Sequence, residues 1–115
     1  LAVKPSRGEV WTVNLDPTLG HEIGRRRPCV IVSNDMLNHG PSGLAIIVPM
    51  TTVDRRIPMH VPIDPPEGGV RSRSFIKCED VRSIDTDQRL IDRWGSVSAA
   101  TLRLVEDRLR ILLQL

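Results

Sequence analysis

Short apolar runs, bounded by Pro, Gly and charged residues, fill the first 97 positions and predict strands. Glu9–Leu15 (EVWTVNL) alternates Val10, Thr12 and Asn14 with Trp11, Val13 and Leu15, then stops at the turn initiator Asp16-Pro17, so it reads as the first strand. Pro28–Ser33 (PCVIVS) and Leu44–Met50 (LAIIVPM) are almost continuously apolar, which predicts central strands covered on both faces. His60–Ile63, Ser74–Cys78 and Asp92–Val97 read as shorter strands, with Pro65-Pro66-Glu67-Gly68-Gly69 as a turn between the first two. From Ser98 the period lengthens. Leu102, Val105, Leu109 and Leu112 recur every three or four residues, with Arg103, Asp107 and Arg110 between them, which predicts a helix N-capped by the Ser98 hydroxyl. Glu106 and Arg110 have the spacing of a helical ion pair. The expected class is mainly β with α, a strongly bent antiparallel sheet or small barrel with a C-terminal helix over one face or end, forming one domain across residues 1–115.

Composition narrows the function classes. Sixteen Lys and Arg against fourteen Asp and Glu give a formal charge of +2, far from the excess of a DNA-coating protein, so any basic patch must arise by local clustering. No apolar run approaches the roughly 18 residues of a membrane span, and Leu1–Arg7 lacks the apolar core of a secretory signal, so a cytoplasmic protein without a membrane partner is expected. Cys29 and Cys78 each sit in an apolar run, which favours reduced thiols packed as small hydrophobes. His21, His39 and His60 have no metal-ligand spacing, His39 and His60 reading as an exposed loop and a strand edge. Asp85-x-Asp87 lacks a third ligand, so no metal is expected. Phosphate-loop, zinc-helix and nucleophile-elbow motifs are absent. Trp11, Phe75 and Trp94 are the only aromatics, too few for paired stacking rings, so bound RNA would rely on phosphate and base-edge contacts.

Three segments carry candidate chemistry. Asp16–Arg27 contains Gly20, His21, Glu22 and Gly24 before Arg25, Arg26 and Arg27; three adjacent guanidinium groups repel unless an anion such as phosphate relieves them, though a solvated turn accounts for the same composition. Thr51 and Thr52 end an apolar strand, so one hydroxyl should face outward, where it could meet a phosphate or simply finish the strand. Beyond Ser74, the acids Glu79 and Asp80 could accept from nucleobase amines or balance Arg82 and the arginine cluster.

Taken in order, Arg7-Gly8-Glu9-Val10-Trp11, Leu15–Glu22 (LDPTLGHE), Arg27–Asn34 (RPCVIVSN), Val48–Thr52 (VPMTT) and Ser74–Asp85 (SFIKCEDVRSID) resemble the MazF/PemK/Kid family of toxins, from Arg7 to about Leu113. The resemblance implies a small antiparallel SH3-like β-barrel of the CcdB/PemK kind with a terminal helix, usually a homodimer, acting as a metal-independent, sequence-specific endoribonuclease on single-stranded RNA. It implies no cofactor. The implied partner is a cognate MazE-like antitoxin whose acidic tail blocks the RNA channel, with DNA met only through the antitoxin complex. Carried over residue by residue, Arg27, Thr51 and Glu22 are the catalytic candidates, while Arg25, Arg26, His21, Thr52, Ser74, Glu79 and Asp80 are candidates for holding RNA.

The implied chemistry is attack of a 2′-hydroxyl on its own phosphodiester, leaving a 2′,3′-cyclic phosphate and a 5′-hydroxyl. Glu22 would help activate the attacking hydroxyl, Arg27 would bind the non-bridging oxygens and assist the leaving group, and Thr51 would donate to the phosphorane. Arginine stays charged far above neutrality, so an electrostatic role for Arg27 is favoured over proton transfer. Two positions depart from the common family pattern: the triple Arg25-Arg26-Arg27, and His21 where a small hydroxyl residue is frequent. Two alternatives remain, a CcdB-like gyrase poison of the same fold and a non-catalytic small-barrel binding module. The first does not need Glu22, Arg27 and Thr51 together, and the second predicts binding without scission.

Overall fold

The computed structural model describes residues 3–115; Leu1 and Ala2, where the stretch read as lacking a secretory core begins, lie outside the described residues. In chain order the elements are β1 (Glu9–Asn14), β2 (Arg26–Ile31), the one-turn α1 (Asp35–Asn38), β3 (Leu44–Thr51), β4 (His60–Ile63), β5 (Ser74–Lys77), β6 (Arg82–Asp85), the one-turn α2 (Thr86–Arg89), β7 (Leu90–Ser96) and α3 (Ala99–Leu113). Every strand pair is antiparallel, in the order β4-β5-β3-β2-β1-β7, with β6 also on β3. The antiparallel, barrel-like sheet with a terminal helix is the architecture the sequence predicts. It is curled, with β4, β6 and β7 each paired on one side only, and register shifts between β1 and β7 add to the coiling.

Alternation builds two cores. The even positions Val10, Val30, Val48 and Met50 pack with Val61, Ile63, Ile76 and Val97 beneath α3, which contributes Val105 and the half-buried Leu102 and Leu109. The odd positions Trp11, Val13, Leu15, Cys29, Ile31 and Ile47 form a second cluster with Ile84. Continuous apolar sequence in β2 and β3 thus reflects two covered faces. Only Leu112 of the predicted helical stripe escapes cover, at 38% exposure. Both cysteines are buried and free. Burial pushes the Cys78 thiol up to about 12 and the Cys29 thiol well above its ordinary value, so both behave as small hydrophobes.

The helix is tied to the sheet by one carboxylate. Ser98 is the N-cap, its Oγ accepting from Thr101 N–H at 3.1 Å. Glu67 Oε2 accepts from Ser98 N–H at 3.0 Å and from the Thr101 hydroxyl at 2.5 Å, so the turn after β4 anchors the start of α3. That turn packs its backbone on β7: a Cβ on Gly69, at φ +78°, would lie 2.5 Å from the Trp94 carbonyl oxygen. Glu106 does not pair with Arg110. It is drawn to Arg7, which also donates to the Val32 carbonyl, while Arg110 takes Asp107 at 3.3 Å. A tertiary partner outcompetes the helical neighbour, whose attraction is weak.

One strand was not legible. Met50 and Thr51 pair with Ile76 and Phe75, whereas Ile47 back to Leu44 pair with Arg82 to Asp85. Five residues, 77–81, therefore stand opposite two, 48 and 49, and the excess is taken up by a 3-10 turn at Cys78–Asp80.

Candidate functional site

The register of β2 on β3 runs as far as Cys29 opposite Pro49, and two residues beyond that last pair Arg27 and Thr51 stand at the rim of the sheet. These two residues line one cleft of about 150 Å³ with Arg26, Pro28, Thr52 and Ser74. Arg27 Nε–H donates to the Gly24 carbonyl at 2.8 Å, and the guanidinium has no carboxylate partner among the described residues. Its two terminal amino groups are therefore spare donors. Thr51 Oγ1 accepts from Val53 N–H at 3.2 Å, which fixes the oxygen and leaves its proton free to be given. Ser74, buried, spends its proton on the Ser72 carbonyl at 3.0 Å and presents acceptor capacity.

The loop that carries Arg27 is clamped at its base. Leu15 N–H donates to the Arg25 carbonyl at 2.9 Å, and Asp16 Oδ1 accepts from Arg25 N–H at 2.9 Å. Arg89 donates to the carbonyls of Asn14 and Asp16 at 3.0 and 2.8 Å, and Arg82 to that of Leu15 at 3.2 Å. Arg25 holds a left-handed conformation, φ +69°, as the pivot of this closure. A cation bonded to backbone carbonyls leaves no partner signature in sequence, so this role of Arg82 and Arg89 emerges only from the fold.

Residues expected to converge fall into separate clefts. Glu22 lines a concavity of about 200 Å³ with Ile23, Glu79, Asp80, Val81 and Arg82, apart from that of Arg27 and Thr51, and its Oε1 accepts from Leu19 N–H at 2.6 Å. The side chains of His21 and Arg25 are exposed and line neither cleft. The 3-10 turn at Cys78–Asp80 turns the acids away from the Arg27 rim, and neither balances the arginine cluster. Asp80 Oδ2 lies 3.0 Å from Lys77 Nζ, an ionic contact without hydrogen-bond alignment. Glu79 Oε2 takes His60 Nε2 at 2.7 Å. His60 is therefore a buried residue, and not simply a strand edge; its side chain is 2% exposed. Burial raises the Glu79 carboxyl, but the His60 hydrogen bond, the Glu79 backbone N–H and the charges of His60 and Lys77 outweigh it and hold it below its ordinary value.

A wider cleft of about 570 Å³ adjoins the Arg27 rim, sharing Pro28, Thr52 and Ser74 with it, and continues over Thr12, Val70, Arg71, Asp92, Arg93 and Trp94. Its floor follows from alternation: α3 covers Val10 and Val30, and two residues further on the same face Thr12 and Pro28 are left open. Arg71 and Arg93 carry no site signal in sequence, and Trp94 counts there only as one of too few aromatics, because all three stand far from the arginine loop along the chain and only the curl of the sheet brings them alongside.

Among the described residues no group of His, Cys, Asp and Glu is placed to hold a metal ion, and no helix is long and apolar enough to cross a membrane. Residues 6–113 match the family model described as PemK-like, MazF-like toxin of type II toxin-antitoxin system. The chain is 36% identical over 114 residues to endoribonuclease MazF9 of Mycobacterium tuberculosis, covering 95% of this chain and 96% of that protein. It is 32% identical over 110 residues to endoribonuclease EndoA of Bacillus subtilis, covering 95% and 94%. The crystal structure of MazF from Deinococcus radiodurans superposes with a TM-score of 0.86 at 27% identity, covering 98% of this chain and 99% of that one. A mycobacterial endoribonuclease in complex with its cognate antitoxin gives 0.78 at 26% identity, covering 96% of each chain. Matched over nearly all its length by the family model, by relatives above the level of chance likeness and by solved folds, the chain belongs to the PemK-like, MazF-like toxin family of type II toxin-antitoxin systems.

Proposed function

We propose that the protein is a toxin that cleaves single-stranded RNA at the rim where β2 begins and β3 ends. One observation carries the reading: an Arg27 guanidinium tethered through Nε yet free of carboxylates among the described residues, in one cleft with the Thr51 hydroxyl. The relatives named as endoribonucleases support it. Ribose supplies its own nucleophile, so the protein's task is to hold the phosphodiester in line and neutralise the extra charge of the phosphorane. The Arg27 fork binds two non-bridging oxygens, Thr51 donates to the same centre, and Arg26 and Thr52 hold neighbouring phosphates. The 2′-hydroxyl gives its proton to water as its oxygen bonds to phosphorus, and the phosphorus–O5′ bond breaks as O5′ takes a proton from water, leaving a 2′,3′-cyclic phosphate and a 5′-hydroxyl. Glu22, bonded to Leu19 N–H, acts chiefly by holding the loop that aims Arg27. His21, Arg25, Glu79 and Asp80 touch the strand only beyond the scissile step.

A cognate antitoxin, by analogy with the mycobacterial complex, blocks this rim, and the active species is a homodimer in the cytoplasm. The test is incubation of the purified protein with RNA in excess EDTA, with the new 5′ ends sequenced and end groups identified. Cleavage at a recurring sequence with cyclic-phosphate ends is expected, and a 2′-deoxy substitution at the scissile nucleotide abolishes it. Binding without scission, or scission of the deoxy strand, overturns the reading; gyrase inhibition without RNA cleavage assigns the fold to the alternative poison. Sedimentation showing a fully active monomer refutes the dimer.

A further inference from the structure

We propose that the cleft beside the Arg27 rim is a nucleotide subsite in which Trp94 stacks a base, Asp92 reads an exocyclic amino group on that base, and Arg71 holds the attached phosphate. This rests on the reading of the rim as an RNA site.

The first argument is the ring. Trp11 and Phe75 are buried, and Trp94, at 37% exposure, is the one aromatic offered to solvent among the described residues. Its indole N–H donates to Thr12 Oγ1 at 2.6 Å, which fixes the ring across β1 and β7. Its backbone is pinned from the other side by Gly69, where any Cβ would lie 2.5 Å from the Trp94 carbonyl oxygen. A large apolar plane is thus held rigidly half-open inside a polar cleft. Ordering entropy has already been lost on folding, which suits a stacking platform.

The second argument is the surrounding chemistry. At about 570 Å³ the cleft falls within the range of small-molecule sites. The Arg93 guanidinium is committed, with Nε on Glu9 at 2.6 Å and Nη2 on Ser96 Oγ at 3.2 Å. Arg71, exposed, pairs with no carboxylate among the described residues, nor does Asp92 with any cation. An uncommitted cation and an uncommitted acceptor in one cleft with an aromatic face match a nucleotide's phosphate, base edge and π-surface. A carboxylate only accepts, so it favours adenine, cytosine or guanine, whose amino groups donate, over uracil, whose single N3–H donor is flanked by two carbonyl oxygens that repel it. Because the cleft shares Pro28, Thr52 and Ser74 with the rim, the nucleotide bound there neighbours the scissile step.

Binding is read with an uncleavable oligonucleotide carrying a 2′-deoxy scissile nucleotide, by tryptophan fluorescence. Quenching is expected in the wild type and lost in Trp94→Phe, where only buried Trp11 remains to report. In cleavage, Trp94→Ala raises KM, with a ~5-fold to ~150-fold loss of kcat/KM, and Trp94→Phe restores most of it. Asp92→Asn narrows the preference for amino-bearing bases at one flanking position, and the exposed Arg71→Ala raises KM without altering that preference. Circular dichroism confirms that each variant is folded. An unquenched wild type, or a Trp94→Ala enzyme with unchanged KM and sequence preference, overturns the subsite. Quenching without any cleavage by the wild type leaves the subsite standing and removes the endoribonuclease reading instead.

Discussion

Replacing Arg27 by Ala removes both spare amino donors from the cleft it shares with Thr51, while costing the fold one hydrogen bond, that from Nε to the Gly24 carbonyl. The structural loss is about 1 kcal/mol, within reach of a marginally stable domain. The chemical loss is larger. Removing a single donor aimed at a developing oxyanion costs on the order of 10²-fold to 10³-fold, and because the fork supplies two donors to one centre the effect falls at the upper end rather than at the product. Arg27→Lys keeps the charge but loses both the fork and the Gly24 tether, so an intermediate loss of about 10-fold to 100-fold follows. The assay is single-turnover cleavage of an oligonucleotide with one ribonucleotide between fluorophore and quencher, in EDTA, beside a urea melt of each variant. Since the donors act on charge that grows only in the transition state, kcat should fall far more than KM rises. An Arg27→Ala enzyme within about threefold of wild-type kcat/KM, and equally well folded, would refute the assignment of the rim, because Arg26, which lines the same cleft, would have to replace a lost effect on the order of 10²-fold without the Gly24 tether that aims Arg27.

Three further outcomes are expected. Glu22→Gln keeps an acceptor for Leu19 N–H, so cleavage should drop by no more than about 10-fold; a loss on the order of 10³-fold in the same assay would make Glu22 the proton acceptor after all. Glu67→Ala deletes the acceptor that joins the turn after β4 to Ser98 and Thr101, and should lower unfolding stability by about 1–3 kcal/mol in urea, with an unchanged m-value; no change would show that α3 docks by its apolar stripe alone. Burial raises Glu9, Glu67 and Glu79, but hydrogen bonds outweigh it in all three, helped by the charge of Arg93 at Glu9 and of His60 and Lys77 at Glu79, so their folded values lie below the ordinary 4.5. The unfolded chain then binds more protons near that pH, so this stabilisation is complete above it and is lost as pH falls through the lower folded values; a thermal midpoint that stays flat between about pH 5 and pH 3 would contradict it.

What the sequence could and could not reveal divides along physical lines. Alternation placed β1, the apolar runs placed β2 and β3, and the change of period placed α3, because burial of one or both faces writes itself into residue type. β6 escaped because Arg82, Ser83 and Asp85 are polar and only Ile84 of its four residues is buried, so a short strand paired through its backbone carries almost no pattern. The rim divides the same way. Arg27 and Thr51 stand at ends of strands whose register is set by the two cores, so their meeting follows from the cores themselves. The acids were harder. Nothing in Ser74–Asp85 announces that five residues will oppose two, and that local excess is what separates Glu79 and Asp80 from the arginines.

The same excess bears on catalysis. If β5 ran into β6 without the 3-10 turn, the register of Met50 on Ile76 would carry on along β3 and the acids would lie flat against it. Turned aside, Asp80 is held by Lys77 and Glu79 by a His60 whose Nδ1 is buried without a partner, so their negative charge is kept off the rim and committed to neighbours of its own. A guanidinium keeps its strength as an oxyanion donor only where no carboxylate competes for it in a low-dielectric cleft. The clamp of Arg82 and Arg89 on the carbonyls of residues 14–16 serves the same end, since those cations hold the loop in place without bringing counter-charges with them. The site is therefore built as much by where its carboxylates are sent as by where its arginine points. Placing an acid beside Arg27, as in Thr52→Asp, should depress cleavage more than Thr52→Ala does; equal activity of the two variants would show that the cleft is too wet for that competition to matter.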